Sequence, residues 1–171
     1  PSVNYSGPNF LRNNDSILYA LGAIKNVGIE SMKDLYNERN ENGNFKDLND
    51  FISRNNTSVI NKKTIEALSC AGAFDELNVS RAAVFNQASE IVKYHKSKNS
   101  NSIDLQKDMF GDMNISSFKL TEEEEWKSNY KLMKEYEMLG FYLSGHPLST
   151  HKKNYKSLTL REYSEIKENS E

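Results

Sequence analysis

Two stretches of the 171-residue chain carry residue types at a spacing that could do chemistry. The first is Lys25-Asn26-Val27-Gly28-Ile29, a tight reversal preceded by apolar Leu21 and Ile24 and followed at helical spacing by Ile29, Met32, Leu35 and Tyr36. Gly28 can take a positive φ without steric cost, and asparagine, here Asn26, is among the few other residues that tolerate one. Val27 can then point inward while backbone N–H groups point out. A helix starting at once adds its own unpaired N-terminal N–H groups. Such a cluster of donors is an anion site whose usual occupant is phosphate. Gly28 and Ile29 are the expected donors, with Lys25 supplying charge. An ordinary αα-hairpin with a glycine in its turn has the same signature. The second stretch is Gln106-Lys107-Asp108-Met109-Phe110, a Met-Phe pair in a polar, Asn/Ser-rich surround. An unstructured segment gains nothing by exposing large apolar groups, so the pair either folds back onto the core or binds something.

Other candidates fare worse. Ser144 and His146 suggest a nucleophile and base, but no acid follows at triad-like spacing and Pro147 restrains His146 toward extended backbone. Asp104, Asp108 and Asp112 recur every four residues, yet a linker offers metal ligands no rigid frame. His95 has no second ligand at metal spacing and reads as a surface histidine. The pair Lys62-Lys63 is the only hint of phosphate contact near Asn61, and an isolated basic pair reads as solvated surface. There is no P-loop type glycine motif and no carboxylate constellation on a rigid strand.

Composition narrows the partners. Lys+Arg total 22 against 24 Asp+Glu, a net charge of −2, so the chain does not live on bulk attraction to nucleic acid and any such contact is local. Residues 1–99 hold 12 basic and 11 acidic residues, and residues 100–171 hold 10 and 13, so the slight positive excess lies with the turn. The lone cysteine, Cys70, excludes an intrachain disulfide and fits a reducing cytoplasm, the expected location. No apolar run approaches membrane-spanning length and no signal peptide opens the chain, so no membrane partner is expected. A start at Pro1 in mid-pattern reads as a piece of something larger.

The elements that must position these residues are mainly α. Phe10-Leu11-Arg12 and Ile17-Leu18-Tyr19 around Asn13-Asn14-Asp15 predict a short N-terminal β-hairpin. The helix after the turn should end at Asn42-Gly43. Phe45, Leu48, Phe51 and Ile52 form one helical face with Asp47 as N-cap, and Asn61 caps a helix with Ile65, Leu68 and Cys70 inward, ending at Gly72. Ser80 opens a longer helix with Val84, Ala88, Ile91 and Val92 inward. Thr121 and Glu124 match a capping box, and Trp126, Tyr130, Met133 and Tyr136 predict the buried stripe of the helix that follows, up to Gly140. A further helix is expected near residues 160–166.

In order along the chain stand LGAIKNVG, FKDLNDFISR, NKKTIEAL, AGAFDEL, Arg81-Ala82-Ala83, QKDMFG and LGFYLSGHPL. Together they closely resemble the α subunits of bacterial replicative DNA polymerase III, in the segment after the fingers, over about Phe10 to Leu148. The resemblance implies a mainly α fold: a helix-hairpin-helix helical domain with a short N-terminal β-hairpin and a C-terminal helical extension. It implies a β-hairpin at the junction with the fingers (1–20) and a tandem helix-hairpin-helix DNA-binding domain (21–98). A linker with a clamp-binding motif (99–120) and a helical segment leading to an oligonucleotide-binding barrel (121–171) follow. Lys25, Asn26, Val27, Gly28 and Ile29 would hold the DNA backbone, and Gln106, Lys107, Asp108, Met109 and Phe110 would bind the sliding clamp (β subunit). Duplex DNA, the clamp and other replisome subunits are the implied partners. The parent is implied to be a DNA-directed DNA polymerase, a nucleotidyltransferase using Mg2+. This segment, without the palm, is expected to be inactive and to hold no cofactor or metal. Asn26 stands where the family usually has glycine. A freestanding helix-hairpin-helix DNA-repair protein and a purely structural helical domain remain the alternatives.

Overall fold

The computed structural model describes residues 1–100 and 117–151. Two strands, β1 (Leu11–Asn13) and β2 (Ser16–Leu18), pair antiparallel with Leu11 opposite Leu18. Asn14 takes a φ of 52° in the two-residue turn between them. Among the described residues six α-helices follow: α1 (Ile29–Asn42), α2 (Leu48–Arg54), α3 (Lys62–Cys70), α4 (Arg81–Asn86), α5 (Ala88–Ser100) and α6 (Ser128–Leu139). The caps expected at Asp47 and Asn61 form, and Ser80 also caps the helix it opens. The Asp47 side chain accepts from Asp50 N–H, Asn61 from Thr64 N–H and Ser80 from Ala83 N–H. Each satisfies a donor that a helix N-terminus leaves unpaired.

One core unites these elements around α3, which packs on α4, α5 and α6. Phe45, Phe51 and Phe74 meet edge to face with 5.1 Å between successive ring centroids, and all three are buried. Burial holds the Cys70 thiol up at about 11, so it stays protonated and inert. The N-terminal segment is tied in by polar groups. The Asn4 side chain exchanges two hydrogen bonds with the Phe45 backbone, and buried Arg39 donates to the Val3 and Ser6 carbonyls, both at 2.8 Å.

Residues 117–127 differ from expectation. The capping box at Thr121 and Glu124 does not form, and the chain stays irregular until α6 begins at Ser128. The segment lies as a strap held by side-chain amides acting like a β-ladder. Asn49 exchanges two hydrogen bonds with the Phe118 backbone, and Gln87 exchanges two with Thr121. The carboxylate next to Glu124, Glu125, serves the positive end of a different helix. Glu125 accepts from the Arg81 and Ala82 N–H groups at 2.9 and 3.3 Å, at the N-terminus of α4. The expected single helix from Ser80 also breaks at Gln87 into α4 and α5. The stripe of α6 is a second correction: Tyr130, Met133 and Tyr136 are 43%, 43% and 50% exposed. Leu132, Glu135 and Leu139 face the core instead.

Candidate nucleic-acid interface

The reversal at residues 24–28 is built much as its sequence requires, with one exchange of roles. The segment before it is a single 3-10 turn, Leu21–Ala23, rather than a full helix. Asn26, not Gly28, supplies the left-handed residue, with a φ of 67°. Gly28 is the N-cap of α1 with extended backbone (φ −78°, ψ 130°), so the expectation of a positive φ there is overturned. Asparagine accepts the left-handed conformation because its short polar side chain can hydrogen-bond locally. The need for glycine at residue 28 is therefore not conformational. A Cβ built there meets only the Ser31 Oγ, at 3.4 Å.

What the absent side chain leaves is a set of free donors. Helix α1 is 14 residues long, and no side chain caps its N-terminus. Its first N–H group paired with the preceding turn is Met32, to the Gly28 carbonyl. The N–H groups of Asn26, Gly28, Ile29, Glu30 and Ser31 have no acceptor among the described residues. Lys25, Asn26, Gly28 and Ile29 are exposed, while Val27 is half-buried and packs on the core, as its inward role requires. One carboxylate opposes an anion here, Glu30 in the first turn, and it is paired with Lys33 at 2.7 Å.

The turn is braced from α6. The Lys25 N–H donates to the Met138 carbonyl at 3.0 Å, and the Tyr19 hydroxyl donates to the Leu139 carbonyl at 3.5 Å. Helix α6 is held by Glu135, which has no exposed surface. Its Oε1 accepts from the Arg81 guanidinium at 2.9 Å, and its Oε2 accepts from the Leu143 and Ser144 N–H groups at 3.2 and 3.0 Å. Burial acts against charge on Glu135, but the Ser144 and Arg81 bonds outweigh it and hold its carboxyl below the usual range. The other face of Arg81 makes two bonds to Asp75, at 2.8 and 2.6 Å. Gly72, at φ 76°, leaves the room for that guanidinium, since a Cβ there would run into it.

The remaining candidates separate cleanly. Gln106 to Phe110, Asp104, Asp108, Asp112 and residues 160–166 lie outside the described residues. Lys62 lies 3.7 Å from Glu66 and Lys63 is exposed, as solvated surface residues are. His146 Nδ1 accepts from the Leu148 N–H, a local turn bond with no acid beside it. His95 is not on the surface: it is 3% exposed, and its Nε2 lies 2.9 Å from the Asn55 carbonyl. It closes the end of α2, so its burial has a structural reason. No group of three or more His, Cys, Asp or Glu among the described residues could hold a metal. No helix among them is long and apolar enough to cross a membrane.

A mainly helical fold with a short β-hairpin and an uncapped turn-helix junction defines a helix-hairpin-helix type module. The family described as "Helix-hairpin-helix motif" matches residues 1–84, which contain this turn. The chain is 40% identical over 149 residues to DNA polymerase III subunit alpha of Caulobacter vibrioides, covering 86% of this chain and 13% of that protein. The Mycobacterium tuberculosis subunit is 37% identical over 157 residues, 87% of this chain and 13% of its own length. That of Campylobacter jejuni is 38% identical over 138 residues, 78% and 11%. The chain matches a segment of the DNA polymerase III alpha subunit, spanning about an eighth of the relatives' length.

Proposed function

We propose that this segment holds duplex DNA by its phosphate backbone and tethers a replicative polymerase to its sliding clamp, without taking part in nucleotide chemistry. The DNA role rests on one observation: the unpaired N–H groups of Asn26 and of Gly28 to Ser31, grouped at the start of a helix with no capping side chain. Backbone donors at a helix N-terminus suit a phosphate oxygen, and they read no base, so the contact is sequence-independent. Val27 anchors the turn and Lys25 adds a charge beside it. The clamp role falls to Gln106 to Phe110, a glutamine followed by an apolar Met-Phe pair.

Binding of the purified chain to duplexes of unrelated sequence should give similar affinities at low salt. Log affinity should fall against log salt with a slope on the order of −2 to −3, as for roughly two or three neutralised phosphates. A slope near zero, or a strong preference among duplexes, would remove the backbone reading. The chain should also incorporate no nucleotide when given primed template, magnesium and all four deoxynucleotides. Two-metal nucleotidyl transfer needs a rigid set of metal-holding carboxylates, and no group of three or more His, Cys, Asp or Glu among the described residues could hold a metal. Primer extension that survives repurification would contradict this.

A further inference from the structure

Among the described residues, residues 24–31 make one backbone hydrogen bond to a part of the chain distant in sequence, Lys25 N–H to the Met138 carbonyl, besides the local bond of Ile24 N–H to the Leu21 carbonyl. The Val27 N–H bonds only within the turn, to the Ile24 carbonyl. The position of the last turn of α6 therefore shares in setting the aim of the free donors, beside Val27 and the buried α1 residues Met32 and Leu35. That position is fixed in turn by Glu135, three residues before Met138 and one helical turn before Leu139. Its two oxygens are engaged on opposite sides, by Arg81 from the start of α4 and by the Leu143 and Ser144 N–H groups of the following loop. The opposite face of α6 is half exposed and makes peripheral ring contacts, Tyr130 with Trp126 and Tyr136 with Tyr142, while Glu135 is fully buried.

We propose that Glu135 is a positioning residue for the phosphate-holding turn. By fixing the rotation and height of α6 it places the Met138 carbonyl, which holds Lys25 and so orients the N–H groups of Asn26 and of Gly28 to Ser31. This rests on the reading of that turn as the DNA contact. A residue that merely stabilises the fold would lower DNA affinity by the same factor whether or not the turn is competent. A positioning residue acts only through the turn.

A double-mutant cycle on the whole chain distinguishes the two. Glu135→Gln keeps the side-chain shape, and it should weaken duplex binding at low salt about fivefold in the parent. In a Gly28→Val background, where the turn no longer receives phosphate, the same change should have no further effect. Tyr19→Phe leaves the buried ion pairs in place and removes only the hydroxyl that reaches the Leu139 carbonyl. It should give a loss of about twofold with the same dependence on Gly28, which keeps the test valid if Glu135→Gln folds poorly. Equal losses in both backgrounds, or full affinity in both single variants, would overturn the positioning role. If Gly28→Val alone binds as the parent does, the DNA reading fails with it. If Gly28→Val weakens binding but the cycle is additive, only the role of Glu135 fails.

Discussion

Arg81→Leu should lower the unfolding free energy by about 3–5 kcal/mol, the cost of stranding a buried charge by removing its partner. For a chain of this size that is a fall in melting temperature on the order of 10 °C. The charge left behind is Glu135, with no exposed surface and its Oε1 unpaired. Asp75, the other partner, is 44% exposed and can return to water, so its loss contributes little. Replacing Arg81 and Glu135 together by leucine should be less damaging than Arg81→Leu alone, because no buried charge is stranded. The pH dependence gives a second check. The folded carboxyl of Glu135 titrates below its ordinary value of 4.5, so its stabilisation is complete above that pH and fades as pH falls through the lower folded value. In Arg81→Leu the sign reverses: protonating the stranded Glu135 relieves the penalty, so the gap to the parent narrows in acid. A small, pH-independent loss would mean that the Arg81–Glu135 pair is not the link between α4 and α6.

The second large effect concerns residues 106–110. Met109→Ala with Phe110→Ala should abolish clamp binding, while Lys107→Ala should hardly matter. The phenylalanine brings a large apolar area, and unbranched methionine adapts to an irregular pocket, with Gln106 left to make polar contacts at the rim. Docking a short peptide costs chain entropy, so the affinity should be modest, about micromolar, or roughly −8 kcal/mol. A clamp encircling the same DNA raises the local concentration enough to turn that contact into a lasting tether. Titrating purified clamp against parent and variant chains, with melting curves beside them, checks the prediction. Retained clamp binding with a melting temperature many degrees lower would make Met109 and Phe110 core residues.

Much of the fold was legible because its signals are local. The caps at Asp47, Asn61 and Ser80, the stop at Gly43 and the inward face of α3 all follow from neighbours within one or two turns. The turn at Asn26 was visible for the same reason, although which residue would take the positive φ was not. What escaped was polar residues standing in apolar stripes. Arg39 follows Met32 and Leu35, His95 follows Ala88 and Ile91, and Glu135 lies between Leu132 and Leu139, each at spacings of three and four. Counting those positions as polar turned α6 the wrong way, toward Tyr130, Met133 and Tyr136. Their partners lie far along the chain: Val3 for Arg39, Asn55 for His95 and Arg81 for Glu135. No short-range pattern announces such a pair. A charged residue that completes a helical stripe is the available signal that a distant partner exists. The strap escaped for a related reason, since Thr121 and Glu124 looked like the start of a helix, while the neighbouring Glu125 serves the N-terminus of α4.

The most direct measurement of the DNA contact is the duplex affinity of Gly28→Val at low salt, by fluorescence anisotropy, beside Lys33→Ala and the parent. Backbone conformation at residue 28 suits any residue, and a Cβ there meets only Ser31 Oγ, so the variant should fold at the cost of an N-cap preference of about 1 kcal/mol. Its side chain nevertheless stands beside the free N–H groups that phosphate must approach. The expected result is a loss of affinity of about tenfold or more, the worth of a hydrogen bond to a charged group, with Lys33→Ala losing much less. A folded Gly28→Val chain that binds duplex as tightly as the parent would contradict the assignment of the contact to this turn.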